Sequence, residues 1–225
     1  MDELNNISQT LALSMGAAWG SGINLYATVL MLGYLASTGA IDLPPDLMIV
    51  ANRLVMGAAG LMYAVEFFAD KIPGVDTAWD TLHTFIRIPA GALLAAGAIG
   101  DIGPAAEIAA ALIGGSLAAA THATKAGSRV MINTSPEPFS NWTASIAEDI
   151  AVFAGIWAAI QHPTLFVFLL IVFILIMIWA LPKLWRGIKR VFKFLGRVFG
   201  WSVDAGITLT DMARSENKAA AKKTD

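Results

Sequence analysis

The chain has 225 residues, of which 56% are hydrophobic and only 14% are charged, and its mean hydropathy is +0.64. Soluble domains carry about a quarter charged residues, so the composition predicts an all-α integral membrane protein. The absence of cysteine excludes disulfides, thiolate metal sites and cysteine nucleophiles, and the formal net charge of −2 indicates no class of partner.

Six apolar segments follow one another, and several are rich in Gly and Ala, which lets membrane helices approach closely. About six transmembrane or re-entrant helices in a Gly/Ala-rich bundle are therefore predicted. The third and fifth are too short to span alone, so either their polar flanks enter the membrane or they form half-helices. The segments are Leu11–Ser37, Leu47–Phe68, Phe85–Gly100, Pro104–Thr121, Ile150–Ile160 and Pro163–Pro182.

The first apolar segment contains features that could interrupt its helix. Gly16, Gly20 and Gly22 punctuate it, and Asn24 lies near its middle. A half-helix that starts after Gly22 would direct free N–H groups toward an anion. The alternative is close helix packing at the glycines, with Asn24 hydrogen-bonded to a neighbouring helix.

A first polar stretch, "DKIPGVDTAWDTLHTFIRIP", separates two apolar segments. Asp76, Asp80, His83 and Arg87 recur at i, i+4, i+7 and i+11, which places them on one face of a helix. Asp70 precedes them, and the stretch ends at Pro89.

The other side of the same helix carries Trp79, Leu82 and Ile86, and we expect this apolar face to meet the bundle. Asp76 is suited to capping the new helix, whereas Pro89 is expected to kink or break it.

A second polar stretch runs from Thr121 to Asp149. Pro136 precedes Trp142 by the spacing that separates Pro73 from Trp79, so a weak internal repeat and chance similarity both stay open. The polar residues of the stretch are Lys125, Arg129, Asn133, Glu137, Asn141, Glu148 and Asp149.

Ionisable groups inside a bilayer cost at least a few kcal/mol each unless they are paired. One interpretation is interfacial ion pairing, of Arg87 with Glu148 or Asp149 and of Lys71 with Asp76. The other is a substrate-binding site made from the two polar stretches and Asn24.

The sequence gives little support for a metal or cofactor site. Asp76, Asp80 and His83 are an alternative metal site on one helix face. No phosphate-binding loop, zinc-protease motif or hydrolase elbow occurs, so no cofactor is expected. The basic residues show no nucleic-acid-binding pattern.

The C-terminal third contains an anchor and a basic segment. Residues 163–182 form the most apolar span, and 183–200 alternate basic and apolar faces at helical spacing, which predicts an interfacial helix on anionic headgroups. Residues 1–182 are thus expected to form the membrane domain and 201–225 a polar, disordered tail. The basic flank predicts cytoplasmic termini, and the Gly/Ala-rich faces are compatible with a homodimer.

Three segments together resemble a known family. "SGINLYATVLMLGYL", "FFADKIPGVDTAWDTLHTFIRIPAGALLA" and "KAGSRVMINTSPEPFSNWTASIAED" are similar to the bacterial integral membrane family called domain of unknown function 4126. The similarity covers about Leu11 to Trp157. It implies a protein of the bacterial inner membrane and no particular activity.

The leading hypothesis is a protein that binds and translocates a polar or anionic substrate, such as a lipid phosphate headgroup or a small organic anion. Arg87, Lys125 and Arg129 would bind the anion, and Asp70, Glu148 and Asp149 would balance these cations or carry a coupling proton. The alternatives are a membrane-embedded metalloenzyme that modifies lipids and a non-catalytic membrane scaffold.

Overall fold

This computed structural model describes residues 2–72, 74–100, 102–134 and 138–198. Within these ranges all regular structure is helical, which confirms the predicted all-α class. The helices are α1 (Asp2–Ser37), a 3-10 helix (Pro45–Ala51), α2 (Arg53–Ala69), α3 (Val75–Gly97), α4 (Pro104–Ile132), α5 (Pro138–Gln161) and α6 (Pro163–Val198).

In the part of the chain that the structure describes, three helical stretches are long and apolar enough to cross a membrane, namely Pro104–Ile132, Phe139–Gln161 and Pro163–Val191. The 3-10 helix and α2 meet at a bend of 60° and together would supply a fourth. The structure is therefore consistent with a membrane protein, whereas the count of six segments stays a prediction.

Helix α1 lies at the centre and packs against α2, α3, α4 and α5. Helices α3 and α4 pack extensively on each other, but α4 and α5 touch only slightly. Small residues permit the close contacts: a Cβ on Gly22 would lie 2.6 Å from the carbonyl oxygen of Ala118, and one on Gly16 would lie 3.0 Å from Cβ of Ala159. The glycines of α1 thus serve helix packing, as the second interpretation predicted.

The polar and apolar faces of α3 are oriented oppositely to our expectation. The face of Asp76 and Arg87 is buried, whereas Leu82 is 66% exposed and Ile86 46% exposed. The prediction that the apolar face meets the bundle is therefore wrong. The prediction assumed that apolar side chains face the protein interior, as they do in water-soluble proteins. A helix surrounded by lipid gains nothing by burying leucine.

The short apolar segments belong to longer helices. Phe85–Gly100 is mostly the second part of α3, and Ile150–Ile160 lies within α5, so the polar flanks continue the helices and half-helices do not form there. Pro89 lies inside α3 without ending it, so the helix does not break there and the alternative of a kink stays a prediction.

The chain divides into one unit that ends at Trp185 and another that begins at Arg186. In the first unit, α6 exposes apolar side chains such as Phe168 and Leu175, as expected of a lipid-facing anchor. The structure assigns one helix across Pro182, so the predicted boundary at 182/183 is not a helix end. The predicted tail, 201–225, and the last two residues of the predicted interfacial helix lie outside the described residues.

Candidate functional site

Seven ionisable side chains from four helices meet beside the middle of α1. We call them the ionic cluster, and they are Glu66 of α2 and Asp70 at its C-cap, Asp80 and Arg87 of α3, Lys125 and Arg129 of α4, and Glu148 of α5. All but Glu148 are buried, with exposed fractions of 4% or less. The two polar stretches found in the sequence therefore converge.

Lys125 is the centre of the ionic cluster. Its Nζ donates to Asp70 Oδ2 at 3.0 Å and to Glu66 Oε1 at 3.2 Å. Asp80 Oδ1 at 3.8 Å and Glu148 Oε2 at 3.5 Å complete its carboxylate surroundings. One ammonium group thus joins α2, α3 and α5 to α4, and four carboxylates share its charge.

Two arginines extend the ionic cluster in opposite directions. Arg87 pairs through Nη2 with Glu66 and through Nη1 with Asp80, at 3.3 Å. Arg129 pairs through Nη2 with Glu148 Oε2 at 2.6 Å and with Asp70 Oδ2 at 3.5 Å. Both guanidinium groups are fully buried, so these pairs are shielded from bulk water and from salt.

Four carboxylates face three cations in the ionic cluster, so its formal charge is −1 when all seven groups are ionised. Both carboxylate oxygens of Asp80 lack a hydrogen bond, as do Glu66 Oε2 and Asp70 Oδ1. A buried excess charge costs several kcal/mol after relaxation. The ionic cluster can therefore bind a proton or accept hydrogen bonds from another group.

The break in α1 is part of the same network. Asn24 has extended backbone angles (φ −146°, ψ 97°), and its Oδ1 accepts from the N–H of Ala27 at 3.0 Å. The carbonyl of Ile23, which would accept from Ala27 in a continuous helix, instead accepts from Lys125 Nζ at 3.1 Å. Asn24 Nδ2 donates to Asp149 Oδ1 at 3.1 Å. The predicted interruption thus occurs at Asn24, two residues beyond Gly22.

A chain of amides continues from the ionic cluster toward the α2–α3 turn. Asn141 is buried, its carbonyl oxygen accepts from Arg129, and its Nδ2 donates to Asn133 Oδ1 at 2.7 Å. Asn133 Nδ2 donates to Asp76 Oδ1 at 2.8 Å. Asp76 also accepts from the N–H of Thr77 at 2.6 Å and of Gly74 at 2.9 Å. The N-cap of α3 is Gly74, however, so the prediction that Asp76 caps the helix is wrong.

The histidines have protein partners. His83 stacks on Trp79 and its Nε2 lies 2.9 Å from the hydroxyl of Tyr26. His122 Nδ1 lies 3.2 Å from Arg87 Nη1. Among the described residues, no three His, Asp or Glu side chains are grouped as a metal ion would require, and Asp76 is engaged elsewhere.

Two predicted ion pairs are wrong. Arg87 pairs with Glu66 of α2 and Asp80 of α3. Glu148 instead pairs with Lys125 and Arg129 of α4. Lys71 lies near the ring of Phe67 and donates to its carbonyl oxygen at 2.9 Å, not to Asp76. Burial lowers the pKa of Lys71.

A cavity of about 270 Å³ opens between α4 and α5, where these helices touch only slightly. Its lining residues include Lys125, Glu148, Thr121, Thr124 and Ser128, but the surface that they present to the cavity is almost entirely apolar. The side chain of Glu148 is 19% exposed, more than any other in the ionic cluster. The remaining lining is apolar and comprises Ile23, Ala147, Ala151 and Phe173.

The sequence-based site list was incomplete. Glu66, His122 and Tyr26 contact the network but were not among the candidates. Glu66 offered a signal, because a carboxylate inside an apolar α2 segment is costly unless it is paired. Of the candidates, only Glu137 lies outside the described residues.

Comparison with known proteins gives one match. Residues 11–183 match the family described as Domain of unknown function (DUF4126). No curated protein matches. No solved structure matches. The match extends past the predicted limit at Trp157 to include most of α6, and it covers well over half of the sequence, so the chain belongs to the DUF4126 family.

Proposed function

We propose that this protein is a membrane carrier that binds a small polar or anionic substrate at the ionic cluster and translocates it. The observation that carries the proposal is the burial of Arg87, Lys125 and Arg129 with four carboxylates at the centre of a helix bundle. Intramembrane charges are costly, and they commonly mark substrate, ion or proton pathways.

The interrupted helix supports the same proposal. Carriers commonly build their sites at discontinuous helices, where freed backbone groups bind substrate or coupling ions. Here the freed carbonyl of Ile23 contacts Lys125, and Asn24 contacts Asp149. The break in α1 therefore adjoins the charges that would bind the substrate.

The proposal includes a membrane arrangement. Six segments cross or enter the bacterial inner membrane, and both termini lie in the cytoplasm. The basic segment 183–200 lies as an amphipathic helix on anionic headgroups. A homodimer through Gly/Ala-rich faces is compatible with this arrangement. Cysteine-accessibility labelling of Lys189→Cys and Asn5→Cys in intact cells tests it, because neither cysteine should react with an impermeant reagent.

Transport by purified protein in liposomes tests the function. Uptake of radiolabelled lactate tests a small organic anion, and flip-flop of fluorescent phosphatidylglycerol tests a lipid headgroup. Arg129→Lys keeps the charge but loses the paired guanidinium contacts, and we expect at least tenfold slower transport. Arg53→Lys, at an exposed arginine, is the matched control. Equal transport by both variants, or none above empty liposomes by wild type, would contradict the proposal.

A scaffold is the second candidate, because every cation of the ionic cluster already has a protein partner. If the protein is a scaffold, variants of the ionic cluster should lose stability in proportion to the number of ion pairs removed, and no substrate gradient should drive flux through the protein. Metal analysis of the purified protein addresses the metalloenzyme alternative, since a stoichiometric metal would favour it.

A further inference from the structure

We propose that the carboxylate of Glu148 occupies the anion subsite of the α4–α5 cavity, and that a substrate monoanion replaces it there when Glu148 binds a proton. This inference rests on the proposed function and assigns the substrate class and the coupling ion. It starts from geometry: Glu148 Oε2 binds Arg129 Nη2 at 2.6 Å and Lys125 Nζ at 3.5 Å, at the wall of the cavity.

The charge balance requires a proton with each anion. The ionic cluster carries −1 when fully ionised, and adding a monoanion alone would make it −2 in a buried site. Protonation of Glu148 makes the cluster neutral, and the incoming monoanion restores −1. Electroneutral uptake of one anion with one proton thus avoids burying a further charge, which costs several kcal/mol.

Charged groups from several helices surround Glu148. Arg129 and Lys125 of α4 contact it directly. Glu66 of α2, Asp70 at the C-cap of α2 and Asp80 of α3 share these cations with it, and Asp149 follows it on α5. On the α1 and α6 sides the cavity is lined by Ile23 and Phe173, which do not titrate.

An unpartnered hydroxyl offers a further contact for the anion. Thr121 lines the cavity and is 2% exposed, and its Oγ1 has no hydrogen-bond partner. A hydroxyl buried without a partner is unfavourable unless a ligand accepts its hydrogen bond. An anionic group in the position of the Glu148 carboxylate would lie in the same cavity, beside Lys125 and this hydroxyl.

Binding to the purified full chain in detergent tests the inference. The probes are lactate and dihexanoyl phosphatidylglycerol, which both keep a single negative charge from pH 6 to 9 and represent a free anion and a lipid headgroup. We expect about one proton taken up per anion in weak buffer. Because one proton would be bound with each anion, the Kd should rise with pH, by up to about tenfold per pH unit.

Three variants sharpen the test. Glu148→Gln should bind the anion independently of pH and without proton uptake, whereas Glu107→Gln, outside the ionic cluster, should behave as wild type. Thr121→Val should weaken binding about fivefold and leave the proton stoichiometry unchanged. Circular dichroism and gel filtration check folding of each variant, and the pH slope of wild type decides the question if Glu148→Gln does not fold.

Anion binding by wild type without proton uptake, or with a Kd independent of pH, would overturn the inference and leave the carrier proposal standing. Retained proton coupling in Glu148→Gln would do the same. Absence of binding of either probe to wild type would overturn the proposed function and this inference together.

Discussion

Replacing Arg87 with methionine should destabilise the protein by about 3–5 kcal/mol, roughly a hundred- to several-thousand-fold in the unfolding equilibrium. Arg87 is 0% exposed and pairs with Glu66 and Asp80. The variant leaves Glu66 with Lys125 as its remaining cationic partner, at 3.2 Å, and leaves Asp80 with Lys125 at 3.8 Å. The cost arises from the uncompensated buried carboxylates, because methionine restores much of the lost volume.

The double variant Glu66→Gln/Arg87→Met separates pairing from packing. It removes one charge of each sign, so the two cations and three carboxylates left in the ionic cluster keep the formal charge of −1. We expect it to recover at least about 2 kcal/mol of the loss, since eliminating a buried pair is less costly than breaking it.

Reversible unfolding in mixed micelles, with added SDS as denaturant and circular dichroism as the signal, measures these differences. Arg53→Met, at an exposed arginine, should change the free energy of unfolding by less than about 0.5 kcal/mol. If Arg87→Met costs less than about 1 kcal/mol, or if the double variant is as unstable as the sum of its single changes, the pairing assigned here is incorrect.

Two further predictions concern α1. Gly22→Ala should cost about 1–3 kcal/mol in the same unfolding assay, because the new Cβ would lie 2.6 Å from the Ala118 carbonyl oxygen. The control Gly57→Ala, with open space around it, should be neutral or stabilising, and equal effects of the two variants would argue against close α1–α4 packing. Asn24→Ala should cost about 1–2 kcal/mol, because the hydrogen bond from the N–H of Ala27 to the residue-24 side chain is lost. Asn24→Asp should keep this hydrogen bond but repel Asp149, so its loss of stability should be greater at pH 7.5 than at pH 5. A loss of stability independent of pH would contradict the contact between residues 24 and 149.

Helical periodicity was enough to find the polar face of α3. Asp76, Asp80, His83 and Arg87 are all buried, as expected of residues at i, i+4, i+7 and i+11 on one face. Periodicity does not say which face is inside, and the expectation for Leu82 was wrong because lipid accommodates an apolar face as well as a protein interior does.

The pairing of charges could not be predicted, because it depends on how helices are arranged around α1. Arg87 and Glu148 are both near apolar segments, but α4 lies between them in the network and supplies Lys125 and Arg129 as partners for Glu148. The sequence marks Glu66 as a carboxylate that needs a partner, but only the packing of α2 and α3 identifies that partner as Arg87.

The break in α1 and the ionic cluster are chemically a single unit. In a continuous helix the Ile23 carbonyl would also accept from the N–H of Ala27, so Lys125 would share this acceptor. Here the N–H of Ala27 donates to Asn24 Oδ1, and Lys125 donates to the Ile23 carbonyl, so both of these backbone groups have a partner. Closing or shifting the break would therefore alter the hydrogen bond from Lys125 to the Ile23 carbonyl, and Lys125 also pairs with four carboxylates. Conversely, a change in the charge around Lys125 acts directly on the backbone of α1, which gives substrate or proton binding a physical route to move the central helix.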